Sequence, residues 1–343
     1  LDENKEALRV IKDADLTRAQ ESRLVYGLDI QTRLQTTSTT DTPKAGYLLP
    51  KPFLAEVFVI IEQYGLARQL LRGIPMSSKD LDLKNVSTKV VASWVTEGNR
   101  ITDDDLVLAE GSLSNEKLAG LTSWTTELQE DMAISLLPLV SEQFGESISK
   151  KEDEAAFLGD GTSSYGNMTG LTNLSSVQQY DMGTGDTSAS DLDESDLRSA
   201  KNQLSEARQQ GAVWIMHRTI KDLIEQFENS AGYRIFQENI SGNGPDSLLG
   251  LPIYTSEVMP SATGVGAGEP FIILGNPTRS LMGMRRGLTA DVSREAVIAD
   301  SNGDITFNAF QMDGALLRLT ERVGFKTPSA HEDAFATIAT AAS

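Results

Sequence analysis

Apolar residues first become periodic over 53–71, where Leu54, Val57, Phe58, Ile61, Leu66 and Leu70 recur at three- and four-residue intervals and predict an amphipathic helix packed on a body. Residues 1–45 are polar and mixed in charge, with a helix predicted over Leu16–Tyr26 and a Thr/Ser run at 36–42, which together read as an extended arm. From Leu81 to Val95 the period shortens towards two and β-branched residues accumulate, and a return arm runs through Leu106–Leu108 and Leu113. Asp103-Asp104-Asp105 lies between the arms and has no place inside a packed sheet, so the pattern predicts a long hairpin with a charged end. A hairpin of this length is not stable alone and needs partners outside its own lobe.

Leu136, Val140, Phe144, Ile148, Ala155 and Ala156 keep one face apolar along a helix predicted over about 136–158, with Ser135 as N-cap, Pro138 in the first turn and Gly159-Asp160-Gly161 as the stop. Lys150–Glu154 within it reads as a solvated, charged face. After a Ser/Thr/Gly/Asp-rich stretch at 173–195, a second lobe begins. Its predicted elements are a helix Asp196–Gln209, a buried strand Ala212–Met216, a helix Thr219–Phe227, and strands Ile253–Ser256 and Phe271–Leu274 about a loop Gly264–Gly268. Ala315, Leu317 and Leu319 alternate in a strand ending near Arg322, and the Ala/Thr-rich tail from His331 is expected to be mobile. Helices and strands interspersed in this way predict an α+β class.

Composition removes several functions. No cysteine is present, which excludes disulfides, Cys-ligated metals and a thiol nucleophile. No stretch reaches the ~18 apolar residues of a membrane helix, and Leu1–Arg9 is too charged for a signal peptide. With 49 acidic against 30 basic residues the formal charge is −19, which opposes a tight grip on nucleic acid. The two histidines, His217 and His331, have no partners at metal spacing and read as structural and solvated, respectively. Asp300–Asp304 starts like a calcium loop, but Ile305 and Gln311 occupy the positions that need Gly and Glu, leaving a polar turn. Gly264–Gly268 reads as a flexible loop, and the Glu127/Asp131 pair is uninformative in so acidic a chain. No catalytic residue, cofactor or metal site is expected.

Several blocks, in order, resemble the Hong Kong 97-like major capsid proteins of tailed phages. They are Gly46-Tyr47-Leu48-Leu49-Pro50, Arg68-Gln69-Leu70 before Ile74-Pro75-Met76, Trp94-Val95-Thr96-Glu97-Gly98 with Ile101-Thr102, Lys117-Leu118-Ala119, and Glu127-Leu128 with Asp131. The most distinctive is Glu154-Ala155-Ala156-Phe157-Leu158-Gly159-Asp160-Gly161 with Gly170-Leu171. Leu248–Pro252, Val258-Met259-Pro260, Ile273-Leu274-Gly275 and Thr320-Glu321-Arg322-Val323 follow. The resemblance spans about Gly46 to Pro328.

It implies a thin subunit with an N-terminal arm (1–50), an extended loop (73–112), a peripheral domain carrying the long spine helix (51–72, 113–172 and 305–330), an axial domain (173–304) and a tail (331–343). It also implies that many copies assemble as pentamers and hexamers of an icosahedral virion shell around double-stranded DNA in the host cytoplasm. The DNA would be contacted weakly, with portal, scaffold or maturation protease, and decoration protein as further partners. Leu81, Leu83, Val86, Val90, Trp94 and Glu97 are the expected intersubunit residues of the loop; Glu154, Phe157, Gly159, Asp160, Gly161, Glu321 and Arg322 are the family-block residues. An encapsulin-like compartment enclosing cargo enzymes is the rival within the fold; a soluble hydrolase or binding module is the distant one. Some relatives join subunits through a loop lysine and an asparagine assisted by a glutamate. Here Lys79, Lys84 and Lys89 offer the amine, but Asp313 and Thr320 fall at the other two positions, so crosslinking is not expected. Leu1 reads as a processed end, 45 residues before Gly46.

Overall fold

The computed structural model describes residues 65–88, 92, 94–98, 100, 107–131, 136–227, 236–237, 245–300 and 302–342. The predicted arm, the helix start before Gly65, Ser135, Val90 and Asp103–Asp105 lie outside them. In chain order the elements are α1 (Leu66–Leu70), β1 (Arg72–Pro75), β2 (Asp80–Thr88), β3 (Val107–Ser114), β4 (Glu116–Thr125), α2 (Thr126–Asp131), α3 (Leu136–Leu158) and β5 (Gln178–Asp181). Then come α4 (Glu194–Gln203), α5 (Glu206–Gln209), β6 (Val213–Met216), α6 (Arg218–Ile224), β7 (Phe236–Gln237), β8 (Ser247–Leu248), β9 (Leu251–Thr255) and β10 (Pro270–Gly275). The chain finishes with β11 (Leu281–Ser293), β12 (Val297–Ala299), β13 (Ile305–Asn308), β14 (Gly314–Lys326) and β15 (Phe335–Ala339).

One sheet has the order β1-β11-β14-β4. The period of two in β14 turns Ala315, Leu317 and Leu319 to one face, where they bury against Trp124 and Ile148, with Val140 and Phe144 of α3 packed alongside. The helix comes close enough that a Cβ on Gly120 would overlap the Phe144 ring. A second, seven-stranded sheet runs β5-β15-β10-β6-β9-β8-β7. Its β6, the apolar run Val213-Trp214-Ile215-Met216, is buried throughout. Trp214 and Met216 join a core with Leu197, Leu204, Ile220 and Ile224. Val213 and Ile215 join another that contains Phe157, Leu171, Met282, Val323 and Phe325. That second core takes residues from α3, from β14 and from the seven-stranded sheet, so it ties the two sheets into one body.

Three expectations require correction. The tail from His331 is not mobile: after a 3-10 turn at Ser329–Ala334, β15 lies fully buried between β10 and β5. Its Ala and Thr residues are narrow enough to be covered on both faces, so small size here signals close packing and not weak order. Residues 281–293 do not stay with the second lobe, because β11 pairs with β14 from Leu281↔Lys326 to Ser293↔Leu316. Charged residues interrupt its alternation, which hid it in the sequence. Finally, the helix expected over Asp196–Gln209 is two, α4 and α5, separated where Leu204 turns into the core with extended backbone. The two sequence motifs of low promise remain loops: Asp300 Oδ1 accepts from the Asn302 and Asp304 amides, closing the polar turn.

Candidate assembly site

The hairpin β2-β3 forms in the expected place, with Leu81 opposite Leu113 and Leu83 opposite Gly111. Leu81 and Leu83 are half-buried against Met76, Leu113 and Leu281 of the same chain, so they need a neighbour less than the sequence suggested. The demand is greatest further out. Trp94 is fully exposed at 106%, Val95 and Leu108 are exposed, and Glu97 is exposed beside Gly98, whose φ is +87°. Val86 is in β2, its side chain outside the description.

The block ending α3 is explained by close backbone approach. The Gly170 amide donates to the Gly159 carbonyl at 2.8 Å and the Gly161 amide to Met168 O at 2.9 Å, with Asp160 bridged to Thr169. A Cβ on Gly159 would lie 2.5 Å from the Ala155 and Met168 carbonyl oxygens, and one on Gly170 would lie 2.5 Å from the Gly159 nitrogen. Asp160 accepts from the Thr162 hydroxyl and amide, which hold its carboxyl below the usual range. Phe157 is wholly buried, and Glu154 pairs with Lys151 at 2.5 Å.

Lys150–Glu154 is a solvated face only in part: Lys150 and Lys151 are exposed, but the two residues that follow are not. Glu152 and Asp153 are buried at 4% exposure each. Arg68 of α1 donates through Nε and Nη2 to both Glu152 oxygens at 2.7 Å, and through Nη2 to Glu321 Oε1 at 2.6 Å. Asp153 accepts from the Leu66 and Ala67 amides at 3.1 and 2.8 Å, tying down the start of α1. One guanidinium thus joins α1, α3 and β14. Burial and then the charge of Glu152 push Glu321 up to about 7, against the pull of Arg68. Burial likewise lifts Asp153 to about 6, although the two amides oppose it. A signal for this node existed: Glu152 follows Ile148 by four residues and precedes Ala155 by three, which puts it on the apolar stripe.

Arg322, next to Glu321 in β14, points to the other sheet face. His217 caps α6, accepting at Nδ1 from the Thr219 amide at 3.1 Å. His331 is half-buried beside Arg208 instead of solvated; burial, then Arg279 and Arg208, holds its pKa below the ordinary value. Asp313 has φ +43° in the turn entering β14, and its carbonyl accepts from Thr126 N at 2.8 Å. Among the described residues, no group of three or more His, Asp or Glu is placed to hold a metal.

A projecting hairpin with an uncovered tryptophan, a long helix crossing a four-stranded sheet, and a second mixed lobe define a subunit of the Hong Kong 97-like capsid class. The capsid of a native GTA particle shares the fold with a TM-score of 0.61 at 15% identity, covering 89% of this chain and 94% of that one. The major capsid protein of Klebsiella oxytoca phage phiKO2 is 21% identical over 84% of this chain and 68% of its own length. That of Escherichia phage T5 is 27% identical over 66% of this chain, which spans about half (51%) of the T5 protein. Residues 45–339 match the phage capsid family, and the chain belongs to it as a shell-building structural protein.

Proposed function

We propose that many copies of the chain close into pentamers and hexamers of an icosahedral shell containing double-stranded DNA, with the hairpin of one subunit lying over its neighbour. The observation that carries the reading is Trp94, fully exposed in the single chain although a large aromatic side chain gains on the order of 2 to 3 kcal/mol when covered. The net charge of −19 suits loose containment of DNA. In this reading the four-stranded sheet with α3 is the peripheral unit and the seven-stranded sheet the axial one. Assembly occurs in the host cytoplasm, and portal, scaffold, maturation protease and decoration proteins are the partners. Assembly is the whole function, with no reaction catalysed. Electron microscopy of the purified protein under assembly conditions tests it: closed shells with five- and six-fold capsomers are expected, and persistently dispersed subunits at high concentration would sink it.

A further inference from the structure

The sheet face opposite α3 carries a feature that folding of the single chain does not explain. Arg286 of β11, Arg322 of β14 and Lys117 of β4 are direct register partners, so three cations form one row across three adjacent strands. Cross-strand partners lie about 5 Å apart, and like charges placed so are unfavourable. Among the described residues none of the three has an ion-pair partner. Of the two carboxylates that line the same cavity, Asp291 bonds Arg318 at 2.8 Å and Glu321 is held by Arg68. The pairing of β11 with β14 shifts register on both sides of Arg286, so bulges on either flank fix the aim of that side chain. The row lines a cavity of about 140 Å³.

We propose that this row, Arg286–Arg322–Lys117, is the docking site for the acidic end of the extended hairpin of a second copy; the proposal rests on the shell-building reading and names the receptor for its hairpin. Charge selects the occupant. The end of the hairpin, residues 89–106, carries Glu97, Asp103, Asp104 and Asp105 against Lys89 and Arg100, in a chain already bearing −19. Topology excludes the same copy. The base of its own hairpin lies on this face immediately beside the row, where Gly283 and Gly324 leave room for Leu113 and Ser114. From there β2 and β3 run eight residue steps outward, roughly 25 Å, and Asp103–Asp105 follow within four residues of that far end. The row beside the base is therefore left to the hairpin of another subunit.

The test uses the full chain, first as dispersed subunits and then under assembly conditions. Lys117→Glu with Arg322→Glu should cut the yield of closed shells in sedimentation by roughly tenfold or more, while the melting temperature of dispersed subunits stays level or rises. Adding Asp103→Lys, Asp104→Lys and Asp105→Lys should restore shell yield. The gentler pair Arg286→Gln and Arg322→Gln guards against misfolding, and should lower yield with an unchanged subunit melt. Shells from either row variant at wild-type yield would overturn the docking, as would failure of the hairpin swap to restore assembly. Loss of retention on double-stranded DNA with assembly intact would assign the row to nucleic acid and overturn it too. If the wild-type chain closes no shells, the shell reading itself falls and takes the docking with it.

Discussion

Arg68 shows how one side chain can hold three elements together. The side chains of its partners Glu152 and Glu321 are only 1% and 2% exposed, so replacing it by methionine leaves two buried carboxylates with no cation. We expect Arg68→Met to cost about 3 to 5 kcal/mol of subunit stability, read by chemical denaturation. The same node sets a pH dependence. Glu321 and Asp153 titrate in the native state near 7 and 6, above the 4.5 and 3.8 of free side chains. Between those limits the folded chain holds protons that the unfolded chain has released, so this contribution to stability grows as pH falls from about 7 towards 4. Glu321→Gln should flatten that slope in dispersed subunits; an unaltered slope would contradict the assignment. Trp94 behaves oppositely to the node: with nothing to lose in the single chain, Trp94→Ala should leave the subunit melt within about 0.5 kcal/mol while reducing assembly. A lowered subunit melt would mean that the side chain is covered within its own chain.

At the scale of elements, α3 and the loop after it act as one unit. The helix runs from Leu136 to Leu158 because its apolar stripe persists that far, and it stops where Gly159 and Gly170 bring two backbones into contact. Since the atoms in the way belong to the backbone, relief by a side-chain rotation is not available. Gly170→Ala should destabilise the subunit by about 2 kcal/mol or more, measured by denaturant titration, whereas Gly185→Ala, strained at φ +103° but free of contacts, should cost less. Because Gly170 has an ordinary extended backbone at φ −76°, a loss there no larger than at Gly185 would contradict the close backbone contact.

For the whole molecule, cohesion between copies is expected to be non-covalent. Asp313, which the sequence resemblance puts near the asparagine of crosslinking relatives, can lose no ammonia to a lysine, and its positive φ and hydrogen bonds with Thr126 give it a turn-forming role instead. Boiled detergent gels of assembled particles should show one band near 37.2 kDa; a ladder of covalent pentamers and hexamers would refute this.

Much of this plan is written locally. The bounds of α3, the hairpin arms and the buried β6 follow from periodicity, and the Gly159-Asp160-Gly161 stop follows from backbone geometry that only glycine tolerates at that approach. What the tertiary structure decided is where distant segments meet. β11 and β15 gain their stability from distant partners, as in Leu281↔Lys326, Ile272↔Ile338 and Ala336↔Gln178, so their own patterns, one broken by charge and the other built of Ala and Thr, did not announce them. Glu152, read locally as a solvated charge, became a buried one because Arg68 arrives 84 residues away in sequence. The row Arg286–Arg322–Lys117 exists only because three strands align. Periodicity reports which face of an element is apolar, whereas register between elements decides which charges share a face, and that depends on the fold as a whole.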